Sequence, residues 1–229
     1  MAAQLAHDLV GACEGLTCRP ELPAAVVLRS GGPAFWLLSA RSAEECDALA
    51  PAWGAATEAV GAIEAPTIAV VAADAIGPAW ELALACDLRL AATHVRIGCP
   101  EVRWGRIPAA GGTQRLTRLC GESAAKRLIL GAESVDGTEA WRLGVVQWVQ
   151  PRAQLADWSR ELAARIAAMP KAALIASKHC IAAGVDPRRD GFAEEIAATR
   201  ALYDHPETRQ KVSEFLGKSA TRNGTKEMR

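Results

Sequence analysis

Several patterns are missing from this 229-residue sequence, and each absence excludes a class of function. Lysine plus arginine and aspartate plus glutamate both number 26, so there is no basic excess for wide contact with nucleic acid. No apolar run approaches the ~20 residues of a membrane-spanning helix. The N-terminus lacks the cationic-then-apolar order of a signal peptide. We therefore expect a soluble cytoplasmic protein that binds neither nucleic acid nor membrane.

The sequence also has no arrangement of cysteine or histidine that is typical of a disulfide framework or a metal site. Its seven cysteines are odd in number, scattered, and without a C-x-x-C pair. Its four histidines form no H-E-x-x-H or paired motif. We therefore expect reduced cysteines that behave as small apolar residues, and no metal.

Three well-known enzyme motifs are absent. There is no G-x-x-x-x-G-K-[ST] phosphate loop, no G-x-G-x-x-G after a strand, and no G-x-S-x-G elbow. These absences exclude a P-loop nucleotidase, a dinucleotide fingerprint and a serine hydrolase of the elbow type.

Apolar residues make up 50% of the chain and can build a sizeable core. Short apolar runs alternate with helical patterns through the first two-thirds, which indicates an α/β fold. Predicted strands cover residues 24–29, 67–71, 88–92, 95–98 and 145–149. Ser42 and Glu45 form a capping-box pattern at the start of a predicted helix. From residue 153 to 217 the pattern is helical throughout, which predicts a helical appendage.

Two glutamates have unusual surroundings in the sequence. Glu81 lies in the first turn of a predicted helix directly after a buried strand, and Glu101 lies in a loop after a later strand. A carboxyl among apolar neighbours is desolvated, which raises its pKa and suits it to general acid or base catalysis. Taken singly, each has a simpler interpretation. Glu81 would complement the helix dipole, and Glu101 would be a solvated loop residue.

The wider context favours the catalytic interpretation. Residues 65–121 include the segments E-L-A-L-A-C-D-L-R-L-A-A, I-G-C-P-E-V and G-R-I-P-A-A-G-G-T-Q-R-L. This region closely resembles the signature region of the enoyl-CoA hydratase/isomerase (crotonase) superfamily. The resemblance extends back to residues 25–35 and forward to 139–146, so it covers most of the chain.

The resemblance implies a definite architecture. We expect an α/β fold, with a crotonase-like ββα spiral core in residues 1–168 and a C-terminal helical oligomerisation region in residues 169–229. Compared with the family pattern, we expect the chain to be short at its N-terminus, with the first helix as its first element and the first strands missing. The helical segment would form the interface of a homotrimer or a dimer of trimers.

The resemblance also implies an activity. Family members bind acyl-CoA thioesters, and in the hydratases two glutamates add water across the α,β double bond. Those glutamates fall on Glu81 and Glu101 here. Isomerases of the family often keep only the later one, so the presence of both favours a hydratase. No cofactor is expected, because coenzyme A is part of the substrate.

The family stabilises an enolate-like state with two backbone N–H groups, and here the pattern departs from the family. The resemblance places these donors at Ser39 and Pro78. Proline has no N–H, so Ser39 would be the surviving donor. Removing one such donor typically costs about 100- to 1000-fold in rate.

Other departures fall at residues that would contact substrate. Trp36 and Leu37 replace small residues of the coenzyme A pocket, and together with Trp80 they suggest a bulky or cyclic acyl group. Ala109 keeps the N–H that the family directs at the catalytic water. Two alternatives therefore stay open. The chain could be an enoyl-CoA isomerase, or a non-catalytic crotonase-fold subunit with an impaired oxyanion hole.

Overall fold

The computed structural model describes residues 2–19, 21–29, 34–35 and 42–224. The chain divides into two compact units, with the boundary between Ile166 and Ala167. In the described part of the chain, none of the helices combines the length and the apolar character needed to cross a bilayer.

Seven strands in the described residues form two parallel sheets. The strands are β1 (Val26–Arg29), β2 (Ala34–Phe35), β3 (Thr67–Val71), β4 (Ala75–Ile76), β5 (Leu88–Ala92), β6 (Ile97–Gly98) and β7 (Trp148–Gln150). One sheet has the order β1-β3-β5-β7 and the other the order β2-β4-β6. Every pairing within them is parallel.

Among the described residues, six helices accompany the sheets and three more follow in the second unit. The first six are α1 (Ala2–Thr17), α2 (Ala43–Gly61), α3 (Pro78–Ala85), α4 (Gly112–Leu130), α5 (Gly137–Arg142) and α6 (Leu155–Ala167). The last three are α7 (Lys171–Ala183), α8 (Gly191–Tyr203) and α9 (Pro206–Gly224).

The order of these elements repeats three times. Two strands and a helix follow one another as β1-β2-α2, β3-β4-α3 and β5-β6-α4. Each repeat gives one strand to each sheet, so the chain winds as a ββα spiral. The expected spiral core and the helical C-terminal region are both confirmed.

The long sheet carries the core. All five residues of β3 are buried, as expected for an apolar run in a parallel sheet covered on both faces. At the start of the strand, the Thr67 N–H and hydroxyl both donate to Asp87 Oδ2, over 2.7 and 2.8 Å. This pair fixes the beginning of β3 against the residue that precedes β5.

A buried arginine holds the C-terminal end of α3. Arg89 is 1% exposed, and its guanidinium donates to the carbonyl oxygens of Cys86 and Val145, each over 2.6 Å. The last carbonyls of a helix have no partner within the helix. Arg89 therefore stabilises the end of α3 opposite to the one that carries Glu81.

Two local expectations had different outcomes. The Ser42 hydroxyl accepts the Glu45 N–H over 3.1 Å, which confirms the predicted helix start. The strand predicted at residues 145–149 is wrong in its position, because β7 begins at Trp148. The N–H groups of Val145 and Val146 instead donate to Ala140 O at the end of α5. The side chains of Val145 and Val146 are buried, so both positions are apolar and the segment resembles a buried strand in composition.

Candidate active site

The short sheet brings the two glutamates to one place. Its strands β4 and β6 are parallel neighbours, with Ile76 paired to Gly98. The chain leaves both strands at the same edge, and the Gly77 N–H donates to Gly98 O over 2.9 Å. Glu81 lies in the first turn of α3 after β4, and Glu101 follows β6 after two intervening residues. Pairing of two-residue strands therefore assembles the site.

Glu81 owes its position to a tight entry into α3. Gly77 has a φ of 63°, which favours glycine, and Pro78 occupies the first helical position. The Glu81 N–H donates to Gly77 O over 2.8 Å and closes the first turn. The side chain then lies inside the protein, 1% exposed.

Two backbone amides hold the Glu81 carboxyl. The N–H groups of Ala110 and Gly112 both donate to Glu81 Oε1, each over 2.8 Å. Burial raises the pKa of Glu81 above its ordinary value, and the two amides and the Arg115 charge oppose that rise. In the described part of the chain nothing donates to Oε2, so one carboxyl oxygen is left for another partner.

Glu101 is buried without such support. It is 5% exposed, begins a 3₁₀ turn over Glu101–Trp104, and neither of its carboxyl oxygens has a hydrogen-bond partner in another described residue. Burial is the main cause that raises its pKa to about 7; its own backbone N–H opposes the rise, and the Glu81 charge adds to it. A neutral carboxyl is the form that such a site favours.

A cysteine lies beside both carboxyls. Cys99 is fully buried. Burial raises the pKa of its thiol well above the ordinary value, and the charges of Glu101 and Glu81 add to the rise. The thiol is therefore neutral.

The other predicted site residues are placed as follows. Pro78 is at the start of α3 and offers no N–H. Trp80 is buried in the core, 1% exposed, and Ala109 is exposed in the loop before α4. Trp36, Leu37 and Ser39 lie outside the described residues. The substrate contacts and oxyanion donation predicted for these residues stay predictions.

The sequence interpretation missed the groups that bind Glu81. Ala109 was selected for the catalytic water and not for Glu81; the amides that contact the Glu81 carboxyl are those of Ala110 and Gly112. The interpretation also missed Arg115, which donates to Ala110 O. The signal was the Gly111-Gly112 pair at the start of a helical pattern, since adjacent glycines there are costly unless something approaches closely.

The described ranges contain no candidate metal-binding site. No group of three or more histidine, cysteine, aspartate or glutamate side chains there could hold a metal ion.

The family model for enoyl-CoA hydratase/isomerase matches residues 2–222. The chain belongs to this family. The match spans both units and the whole site, so the resemblance found in the sequence is confirmed.

Curated relatives and solved structures agree with the membership. This chain is 32% identical to the enoyl-CoA isomerase/hydratase fer4 of Mycosarcoma maydis, over 95% of this chain and 85% of that protein. It is 35% identical to the short-chain-enoyl-CoA hydratase of Clostridium acetobutylicum, over 68% of this chain and 60% of that protein. An enoyl-CoA hydratase structure from Bacillus anthracis superimposes with a TM-score of 0.85 at 26% identity, over 95% and 87% of the two chains. These likenesses support a crotonase-type reaction.

Proposed function

We propose that this family member adds water across the α,β double bond of an enoyl-CoA thioester. This is a lyase reaction in which coenzyme A enters as part of the substrate and no further cofactor takes part. The observation that carries the proposal is the pair Glu81 and Glu101. Both carboxyls are buried at one edge of the short sheet, and their hydrogen-bonding surroundings are opposite in kind.

Glu81 is suited to the role of base. Two amides donate to its Oε1, and the nearby Arg115 charge favours the ionised form. Its Oε2 is left to accept a hydrogen bond from a water molecule. In the proposed step Glu81 takes a proton from that water while the water oxygen bonds to the β carbon.

Glu101 is suited to the role of acid. Its pKa of about 7 keeps a large protonated fraction at neutral pH. In the proposed step its proton goes to the α carbon, where the electron pair of the double bond arrives. Glu81 has then gained one proton and Glu101 has lost one, and exchange with solvent restores both.

The thioester oxygen gains negative charge during this step. Backbone N–H groups aimed at that oxygen would stabilise it, which is usually a large contribution to the rate. We propose Ser39 as one donor. Pro78 cannot be the other, so the proposed oxyanion hole is weaker than that of a member with an amide at this position.

The proposal is tested by turnover of a panel of short-chain, long-chain and cyclic enoyl-CoA esters, followed through loss of the conjugated thioester absorbance. Glu81→Gln and Glu101→Gln keep the shape of each side chain and remove its acid–base chemistry. Each is expected to lower kcat by about 100- to 10,000-fold. The exposed Glu64→Gln is the matched control and should keep full activity.

The isomerase alternative is favoured by one observation, the unpartnered Glu101 with a pKa near neutrality. A single carboxyl of this kind can both remove and return a proton, which is sufficient to move a double bond. An isomerase would keep its activity in Glu81→Gln and lose it in Glu101→Gln. Loss in both variants supports the hydratase.

A non-catalytic subunit is the second alternative, and the missing N–H at Pro78 favours it. In that case the purified protein turns over none of the esters. The two glutamine variants would then be indistinguishable from the parent.

A further inference from the structure

The carbonyl of Ala110 is held from two different helices. The Thr57 hydroxyl on α2 lies 2.9 Å from Ala110 O and 2.9 Å from Gly54 O, so its single proton is shared between these two carbonyl oxygens. Arg115 Nη1 on α4 donates to Ala110 O over 2.8 Å. Thr57 is 1% exposed, so its bond lies inside the protein. Two donors on one buried carbonyl leave residue 110 little freedom to shift.

The same residue contacts the proposed base. The Ala110 N–H donates to Glu81 Oε1 over 2.8 Å. Ala110 thus connects Glu81 on one side with Arg115 and Thr57 on the other. Movement of Ala110 would displace one of the two amides that fix the carboxyl.

Gly111 leaves the space that Arg115 needs. A Cβ built on Gly111 would overlap Arg115 Nη1, and Gly111 has a φ of 98°, a conformation that other residues rarely adopt. The Arg115 N–H also donates to Gly111 O over 2.9 Å. The backbone at residue 111 is therefore shaped so that the side chain folds back onto Ala110 O.

The charge of Arg115 has no direct ion pair in the described part of the chain. Its guanidinium donates to two neutral carbonyl oxygens, Ala110 O and, over 3.5 Å, Thr57 O. The side chain is half-buried, so its field is less screened than that of a surface arginine. The Arg115 charge lowers the pKa of Glu81 against the effect of burial.

We propose that Arg115, together with Thr57, is a positioning residue for Glu81. It fixes Ala110, and through the Ala110 amide it fixes the carboxylate, while its charge favours the ionised base. The inference rests on the proposed function for its kinetic consequences. The contacts themselves can be tested without turnover.

Other ionisable groups lie near this pair and enter any pH dependence. Glu58 on α2 and Arg118 on α4 both act on the charge of Arg115. Glu101 and Cys99, from the segment after β6, face Glu81. Arg118 is exposed one turn after Arg115 on the same helix, so it gives a matched control.

The test compares Arg115→Gln and Arg115→Lys with Arg118→Gln. In Arg115→Gln we expect kcat to fall on the order of tenfold or more, because small displacements of a catalytic group are costly, while KM changes little. The acidic limb of the kcat/KM profile should move to higher pH. Arg115→Lys should restore the position of the limb, since it keeps the charge, and recover kcat only in part. Arg118→Gln should match the parent.

Carbon-13 NMR of carboxyl-labelled glutamate, with Glu81→Gln to assign the signal, gives a readout that needs no substrate. The Glu81 titration should move to higher pH in Arg115→Gln and return with lysine. If it moves while no ester is hydrated, the positioning inference survives and the proposed hydratase fails. An unmoved titration in Arg115→Gln, in a protein with native circular dichroism, overturns the inference.

Should Arg115→Gln not fold, Thr57→Val removes the other donor to Ala110 O without changing any charge. It should lower kcat and move the acidic limb to higher pH by less than Arg115→Gln does, because the Arg115 charge remains. Parental kcat in Thr57→Val would count against the proposed positioning.

Discussion

Gly112 binds the Glu81 carboxyl through its N–H and leaves room for that carboxyl because glycine has no Cβ. Its N–H donates to Glu81 Oε1 over 2.8 Å, and a Cβ built on it would lie 2.9 Å from that same oxygen. The would-be Cβ would also lie 3.0 Å from Pro108 Cβ. Only a glycine leaves room for the carboxyl to receive this amide.

Gly112→Ala is therefore expected to push the Glu81 carboxyl away from both amides. We predict a fall in kcat of about 100-fold, the cost of a misplaced catalytic group, measured with the best ester of the panel. Gly11→Ala is the control, since a Cβ on Gly11 meets nothing within 4 Å and alanine suits the interior of α1. Parental activity in Gly112→Ala would show that the carboxyl tolerates displacement.

The buried Glu101 predicts a particular pH dependence of stability. Its pKa is about 7 when folded and 4.5 as the ordinary value, so the folded state holds the proton more tightly. The stability that comes from binding this proton is fully present below pH 4.5, the ordinary pKa. It is lost as the pH rises through the folded pKa of about 7. The parent should lose up to about 3 kcal/mol of unfolding free energy between these limits.

Glu101→Gln should remove this loss, so the variant is expected to be more stable than the parent at pH 8 and similar to it at pH 4.5. Urea unfolding at both pH values measures the difference. Glu64→Gln, at an exposed glutamate, should show no such change. Equal stability of Glu101→Gln and the parent at pH 8 would contradict the burial argument.

The role assigned to Glu101 predicts the shape of the pH–rate profile. As an acid it must be protonated, so kcat/KM should fall above pH 7, about tenfold for each further pH unit. The measurement is initial rate at low substrate from pH 5.5 to 9. A rate that instead rises through pH 7 would make Glu101 the base and reverse the proposed roles.

Pro78→Ala supplies an N–H at the first position of α3 while keeping a residue that suits a helix. If the thioester oxygen lies at this helix start, the added donor should raise kcat by at least about tenfold. Pro206→Ala makes the same change at the start of α9 and should have no effect on turnover. Unchanged kcat in Pro78→Ala would mean that another amide already serves the oxygen.

The second unit exposes large apolar side chains that a solitary chain would not be expected to leave in water. On α8, Phe192 is 84% exposed and Ile196, one turn later, is 58% exposed. Such a patch marks an interaction surface, and the predicted homotrimer or dimer of trimers would cover it. Analytical ultracentrifugation should show a smaller assembly for the double variant Phe192→Ser and Ile196→Ser than for the parent. The control Arg200→Ala, on the same helix, should form an assembly of unchanged mass.

Much of the fold was readable because its signals are local. The continuous apolar run at 67–71 predicts a buried strand, and Ser42 with Glu45 predicts a helix start; both are present. The strand at 145–149 was misplaced because buried valines after a helix look like a strand in composition. The two-residue strands β2 and β4 were missed, since so short a strand has no periodicity to detect.

The sequence also selected Glu81 and Glu101, because apolar neighbours and the family motif both point to them. It could not show that they differ. Glu81 receives two amides from residues 29 and 31 positions away, whereas Glu101 receives a bond from no other described residue. Which donor reaches which carboxyl depends on how the start of α4 packs on α3.

By itself, then, the sequence determined the α/β class from local pattern, and the resemblance of its motifs to a known family implied the ββα spiral and selected the two carboxyls. Only the tertiary structure decided the character of each acid. A pKa depends on burial and on the charges and donors within a few ångströms, and those come from distant segments. The same holds for Thr57 and Arg115, which lie 58 positions apart and meet at a single carbonyl oxygen.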